Sequence, residues 1–270
     1  MAKLDGARSK VLRAKEHLRS LLVKHQEFHG LNPFGVVVEL NPTGEKIWRA
    51  RVSQAIPSEW SALVGDVVHN LHAALDYVAW ELWITNGGKP TDPEAIQIVF
   101  PVVDPSKTPA AVQQKATLEQ NQRRFGRTAA ALIDQLQLHP GRQGSADPEL
   151  RPLFLVHKLD IWDKHRRLNV VGGTVQLQHL AIGQGAPVVD IEHLVIGGGD
   201  VRNVPIKDGT ELLRLKLGAQ TPDVPVEQQF RTFVAFDQDG PGKGLPLIGT
   251  LDELISFTDE AITLFAPLLK

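Results

Sequence analysis

The densest chemistry in the chain lies in "LVHKLDIWDKHRRLNVVGG", residues 155–173, where His157, Asp160, Asp163, Lys164, His165 and Arg166 fall within barely three helical turns. Histidine is the side chain that gains and loses a proton near neutral pH. A neighbouring aspartate can orient it, and lysine or arginine can hold the negative charge that develops on a reacting phosphate or carbonyl. The same stretch carries a helical stripe, with Leu150, Leu153, Phe154, His157, Ile161, Lys164, His165 and Leu168 recurring at spacings of three and four. Ionisable groups thus occupy positions that should be buried. Burying an unpaired charge costs several kcal/mol, so these groups are expected to be paired or shifted in pKa, as catalytic groups often are.

A second cluster lies upstream in "VGDVVHNLHAALDYVAW", where His69, His72 and Asp76 project within one narrow arc opposite the Leu and Val stripe of the same helix. The two clusters are expected to meet in one inter-helix polar site. Within it, His157 and His165 are candidate acid and base groups, Arg166 or Arg151 a phosphate clamp, and Asp76 and Asp160 orienting carboxylates. His69, Asn70, Asp163 and Lys164 are candidate substrate-binding groups. A rival assignment makes His69, Asp76, His157 and Asp160 the ligands of a divalent transition metal. Lys164 and Arg166 beside them would repel a cation, so no metal or other cofactor is expected. A third assignment, from a different class, is a non-catalytic binding or scaffold protein whose polar cluster only fixes helix register.

The two segments together resemble an uncharacterised bacterial family with a "GDxxHNLxxALDxxxW" helix and a later "LHxLDxxDKHR" helix. The residues that carry the likeness are Gly65, Asp66, His69, Asn70, Leu71, Ala74, Leu75, Asp76 and Trp80, then His157, Leu159, Asp160, Asp163, Lys164, His165 and Arg166. His72 stands where members of that family commonly carry arginine or a similar residue. The resemblance ranks residues and implies no reaction. A looser analogy is to the HEPN ribonucleases, helical and often dimeric, whose signature is an arginine separated by roughly four to six residues from a histidine. "RPLFLVH" supplies Arg151 and His157 in that relation, although "RSLLVKH" supplies Arg19 and His25 equally well. The analogy implies metal-independent cleavage of RNA, as in a toxin-type enzyme, with RNA held by a local patch and a homodimer as the assembly.

The elements that must position these residues follow from periodicity. Helices are expected near residues 3–29, 58–85, 148–167 and 250–269, the third opened by Asp147 as N-cap with Pro148 at the first position. "FGVVVEL" and "KIWRARV", separated by "NPTGE", read as a hairpin, and "AIQIVFPVV" reads as a strand. Residues 108–138 form a polar helical stretch broken near Gly126. Over residues 169–248 the period changes to two with Gly, Pro and Asp between runs, the pattern of a mostly antiparallel sheet. The expected class is α+β: a long-helix bundle in one domain spanning residues 1–270, with the β-rich segment inserted between core helices.

Composition narrows the partners. Lys and Arg number 29 against 31 Asp and Glu, a formal charge of −2, so the chain as a whole has no attraction for nucleic acid or anionic membranes. The absence of cysteine removes disulfides, thiol nucleophiles and thiolate metal sites. No stretch approaches the ~20 apolar residues of a spanning helix, and a cytoplasmic location is expected. "GPGKGLP" lacks the Ser or Thr and the following helix of a phosphate-binding loop, and no Gly-x-Ser-x-Gly elbow occurs.

Overall fold

In a computed structural model, the structure describes residues 3–104, 110–139, 147–165, 170–182, 191–196, 204–205, 207–218, 226–237 and 240–269. The chain order is α1 (Asp5–Gly30), β1 (Phe34–Leu40), β2 (Lys46–Val52), α2 (Glu59–Thr85), α3 (Ala110–Phe125), α4 (Arg127–Gln137), α5 (Pro152–His165), β3 (Val170–Ile182), β4 (Ile191–Ile196), β5 (Val204–Pro205), β6 (Glu211–Leu217), β7 (Val226–Phe236) and α6 (Leu247–Phe265). The class is α+β. No described helix is long and apolar enough to cross a membrane.

The helical part is built on α2. Its stripe of Trp60, Val64, Val67, Leu71, Leu75, Val78 and Leu82 is buried throughout. The Ala7, Val11, Ala14, Leu18 and Leu21 stripe of α1 packs along it, and α5 and α6 cover its other sides. Gly126 takes φ +82°, which breaks the polar helical stretch into α3 and α4.

Two of the expected boundaries move. Asp147 does cap a helix, its carboxylate accepting from Glu149 N at 2.9 Å, but this is a single 3-10 turn over Pro148–Leu150. The helix that carries the chemistry starts afresh at Pro152, because a proline at the first position needs no donor of its own. Residues 95–103 form no strand. Ala95–Gln97 is a 3-10 turn, and beyond it side chains take the place of a ladder: Phe100 N donates to Asp76 Oδ1 at 2.9 Å, Val103 N to Gln137 Oε1 at 3.0 Å, and Gln137 Nε2 donates to Pro101 O at 2.8 Å. Buried backbone groups must be paired, and here α2 and α4 supply the partners.

The strands form two antiparallel sheets, one ordered β1-β2-β6-β4 and one ordered β5-β3-β7. The expected hairpin is present, with Val37 opposite Arg49. Trp48, Leu213 and Leu215 of the first sheet pack with Leu180, Val226 and Phe230 of the second, so the inner faces bury one another. Val234 and Phe236 at the end of β7 join the helical core.

Beyond the end of α2 the chain turns through Gly87, at φ +100°, and runs against the ring of Trp83, which is 2% exposed. A Cβ on Gly88 would sit 2.2–2.6 Å from that indole. Gly88→Ala is therefore expected to cost about 1–3 kcal/mol through overpacking and to lower the melting temperature by several degrees. A thermal unfolding curve superimposed on that of the parent would refute this packing.

Candidate functional site

The site forms where α2 meets α5, and its centre is Asp160. This carboxylate is 1% exposed, faces α2 and is surrounded by two histidines and a lysine. His69 Nδ1 lies 3.1 Å from its Oδ1, and Lys164 Nζ, one turn along α5, donates to its Oδ2 at 2.5 Å. His72 Nδ1 lies 3.5 Å from the same Oδ2 and 3.4 Å from Asp76 Oδ2. Asp76 is fixed in turn by the Phe100 N–H on its other oxygen. Helical periodicity explains the convergence. His69, His72 and Asp76 are spaced by three and four on α2, as are His157, Asp160 and Lys164 on α5.

His72 and His157 form the second feature. His72 Nε2 is 3.2 Å from His157 Nδ1, and the rings lie nearly parallel at 29° with centroids 5.4 Å apart. Carboxylates only accept, so His72 Nδ1 carries a proton toward Asp76 and Asp160. Neutral His72 then accepts from His157 Nδ1–H, whereas charged His72 donates to it. In the first case His157 Nε2 is left with its lone pair. Burial holds His157 below its ordinary pKa, and the adjacent His72 pushes it the same way, against the weaker pull of Asp160. The arrangement is a relay from two carboxylates through His72 to the His157 imidazole.

Asp163 lies beside this hub. Its carboxylate stands where a Cβ on Gly65 would be, at 2.5–2.7 Å, so the glycine is what lets α5 approach α2 here. Burial raises the Asp163 pKa, and the nearby charges of Asp160 and Asp66 raise it further.

The other expected residues fall elsewhere. His165 is exposed on the last turn of α5, because it sits about 80° around the helix from His157 and about 100–140° from Lys164 and Asp160. It does not join the cluster. Arg151 donates from Nη1 to Gln137 O at 3.3 Å, tying the start of α5 to the end of α4, so the Arg151 and His157 spacing does not make a shared site. Asn70 is buried but donates to Asp66 O at 2.8 Å on its own helix. Arg166 lies outside the described residues.

His72 is the cluster member to which sequence reasoning assigned no role. Its signal was its place between His69 and Asp76 on the same arc. The four expected metal ligands do not converge on a common point: His157 Nδ1 is turned to His72, and Asp76 Oδ1 to a backbone N–H. Among the described residues, no group of three or more His, Asp and Glu could hold a metal ion.

Clefts also lie away from the cluster. One of about 940 Å³ runs between α1 and α6, and one of about 380 Å³ lies between the start of α5 and residues 240–243, the "GPGK" loop. The polar site itself meets solvent at His69 and Lys164, whose side chains are 53% and 48% exposed. Compared with known protein families, curated proteins and solved structures, the chain matches none.

A pH dependence follows from His157. Its folded pKa lies below the unfolded value of about 6.5, so between the two the unfolded chain binds more protons and stability rises with pH. Stability is expected to be complete above about pH 6.5 and to fall as pH drops below it. His25 and His29, also lowered by burial, add in the same direction. Asp163 acts oppositely, its stabilisation being lost as pH rises through its elevated folded pKa. Melting temperatures of the parent and of His157→Gln between pH 5 and 8 provide the check, with a shallower acid-side fall expected in the variant; identical slopes would remove His157 from the account.

Proposed function

We propose that the α2–α5 junction is a metal-independent acid–base site that cleaves RNA. The observation that carries this reading is the contact of His72 with His157, backed by Asp76 and Asp160. RNA cleavage needs a base to take the 2′-hydroxyl proton, an acid to protonate the departing 5′-oxygen and a cation for the charge on the phosphate. His157 Nε2 is the base, oriented by His72. His69, hydrogen-bonded to Asp160 and open to solvent, is the acid. Lys164 is the phosphate cation, the role first assigned to Arg151 or Arg166. The exposed position of His69 and Lys164 suits an extended polymer better than an enclosed small molecule.

A second reading has an observation of its own. Asp160 is buried beside three potentially cationic side chains, which also describes a structural lock between helices in a binding or scaffold protein. Removing one partner of a buried pair destabilises by about 3–5 kcal/mol.

The discriminating experiment incubates the purified protein with single-stranded RNA in the presence of EDTA and analyses the termini of the products. Cleavage leaving a 2′,3′-cyclic phosphate is expected, reduced about 10²–10⁴-fold in His157→Ala with the melting temperature nearly unchanged at pH 7.5. No cleavage by the parent, or undiminished cleavage by His157→Ala, ends the catalytic reading. For the lock, Asp160→Asn in an RNA-inactive protein is expected to melt many degrees lower, and an unchanged melting temperature would end that reading too.

A further inference from the structure

Strand β1 is one of the two terminal strands of its sheet and, among the described residues, pairs only with β2. Exposed sheet edges are ordinarily blunted by lysine, proline, bulges or short length, since open N–H and C=O groups template another strand. Over Phe34–Leu40, "FGVVVEL", the pairing with β2 is regular for seven residues without a shift, and Glu39 is the one charge. Val37, Val38 and Leu40 are exposed by 37%, 55% and 70%.

We propose that this edge is a homodimer interface in which β1 pairs antiparallel with β1 of a second copy about a two-fold axis through Val37. The sequence of the strand is self-complementary in that register. Val37 faces its symmetry mate, Val36 faces Val38, Phe34 faces Leu40 and Gly35 faces Glu39. Paired residues share a face of a sheet. The exposed Val38 and Leu40 of one copy are thereby covered by Val36 and Phe34 of the other, next to the apolar interior formed by Trp48, Leu213 and Leu215. No like charges oppose one another.

Charge complementarity names the second copy as the occupant. Gly35 is opposite Arg51 of β2 within one chain, and the only heavy atom a Cβ there would approach is Arg51 Cβ at 4.0 Å. Arg51 is exposed and pairs with no carboxylate among the described residues. In the dimer, Glu39 of one copy lies across the bare Gly35 from Arg51 of the other, with no side chain between them. Glu39 already touches Arg49 of its own chain at 3.1 Å, so its carboxylate has one free side to bridge the two arginines. The two-fold axis makes this contact twice, and the four-stranded sheet continues into its copy as one antiparallel sheet. A heterologous strand would have to reproduce this charge and apolar pattern, which the chain already contains. The interface is independent of the α2–α5 site.

A single strand pair buries less than the ~1,600 Å² of a standard interface, so association is expected in the micromolar range. Sedimentation velocity of the full chain from about 1 to 200 µM spans that range and is expected to show a monomer–dimer equilibrium. Val37→Lys, which sets two ammonium groups against each other at the axis, should leave monomer only. Arg51→Glu should weaken the dimer at least tenfold, and Arg51→Lys should retain it. Both positions are solvent-facing, and far-UV circular dichroism verifies that each variant is folded; if Val37→Lys does not fold, Arg51→Glu decides. A parent that stays monomeric throughout, or a dimer indifferent to Arg51→Glu, overturns the proposal.

Discussion

The arrangement of α2 against α5 depends on one buried carboxylate. Asp160 sits on the inner face of α5 at 1% exposure, where an ionised group survives only if its partners are in place. His69, His72 and Lys164 supply them from two helices, and together they select one rotation of α5 about its axis. A rotation of α5 by one residue would carry the carboxylate away from the α2 histidines and leave it unpaired. Apolar packing of Leu153, Leu155, Val156 and Leu159 brings the helix to the core but does not by itself choose so narrowly among orientations.

The same constraint spreads outward. Because α5 must lie close to α2, the position facing Asp163 has to be glycine, and Gly65 fills it despite the conformational cost of glycine within a helix. Asp76 must hold its orientation toward His72, and the segment after α2 gives up strand pairing so that Phe100 N can bond its second oxygen. Gln137 of α4 then satisfies the donors and acceptors that remain in that segment. A chain of hydrogen bonds therefore connects α4, the extended segment, α2 and α5, and the two imidazoles lie at its inner end. Burial and the adjacent His72 hold the His157 pKa below its ordinary value. The geometry of the junction follows from satisfying Asp160.

The β half follows a different rule. Its two sheets bury their inner faces against each other, and pairing between strands distant in sequence does most of the ordering: β2 bonds β6 across more than 160 residues, with Trp48 beside Leu213. Among the described residues that sheet is open, ordered β1-β2-β6-β4, which leaves β1 and its apolar side chains at one edge.

The sequence by itself determined the four long helices to within a few residues, the β1–β2 hairpin and the break at Gly126, because each is written in local periodicity or in a residue with special backbone freedom. It also marked His69, Asp76, His157, Asp160 and Lys164 as site residues, but the stripe it expected to be buried on α5 included Ile161, Lys164 and His165, which are exposed, and left out Asp160, which is the buried one. Only the tertiary structure decided the rest. His72 became central because its second nitrogen meets a ring on another helix, a contact no spacing within α2 encodes. His165 fell outside because α5 ends there and the two turns from His157 do not return to the same face. Residues 95–103 have the composition of a strand, but α2 and α4 offered hydrogen-bond partners where no strand was available. Which strands pair, and which strand is left at the edge, is a choice among distant partners of similar pattern, resolved by the packing of whole sheets.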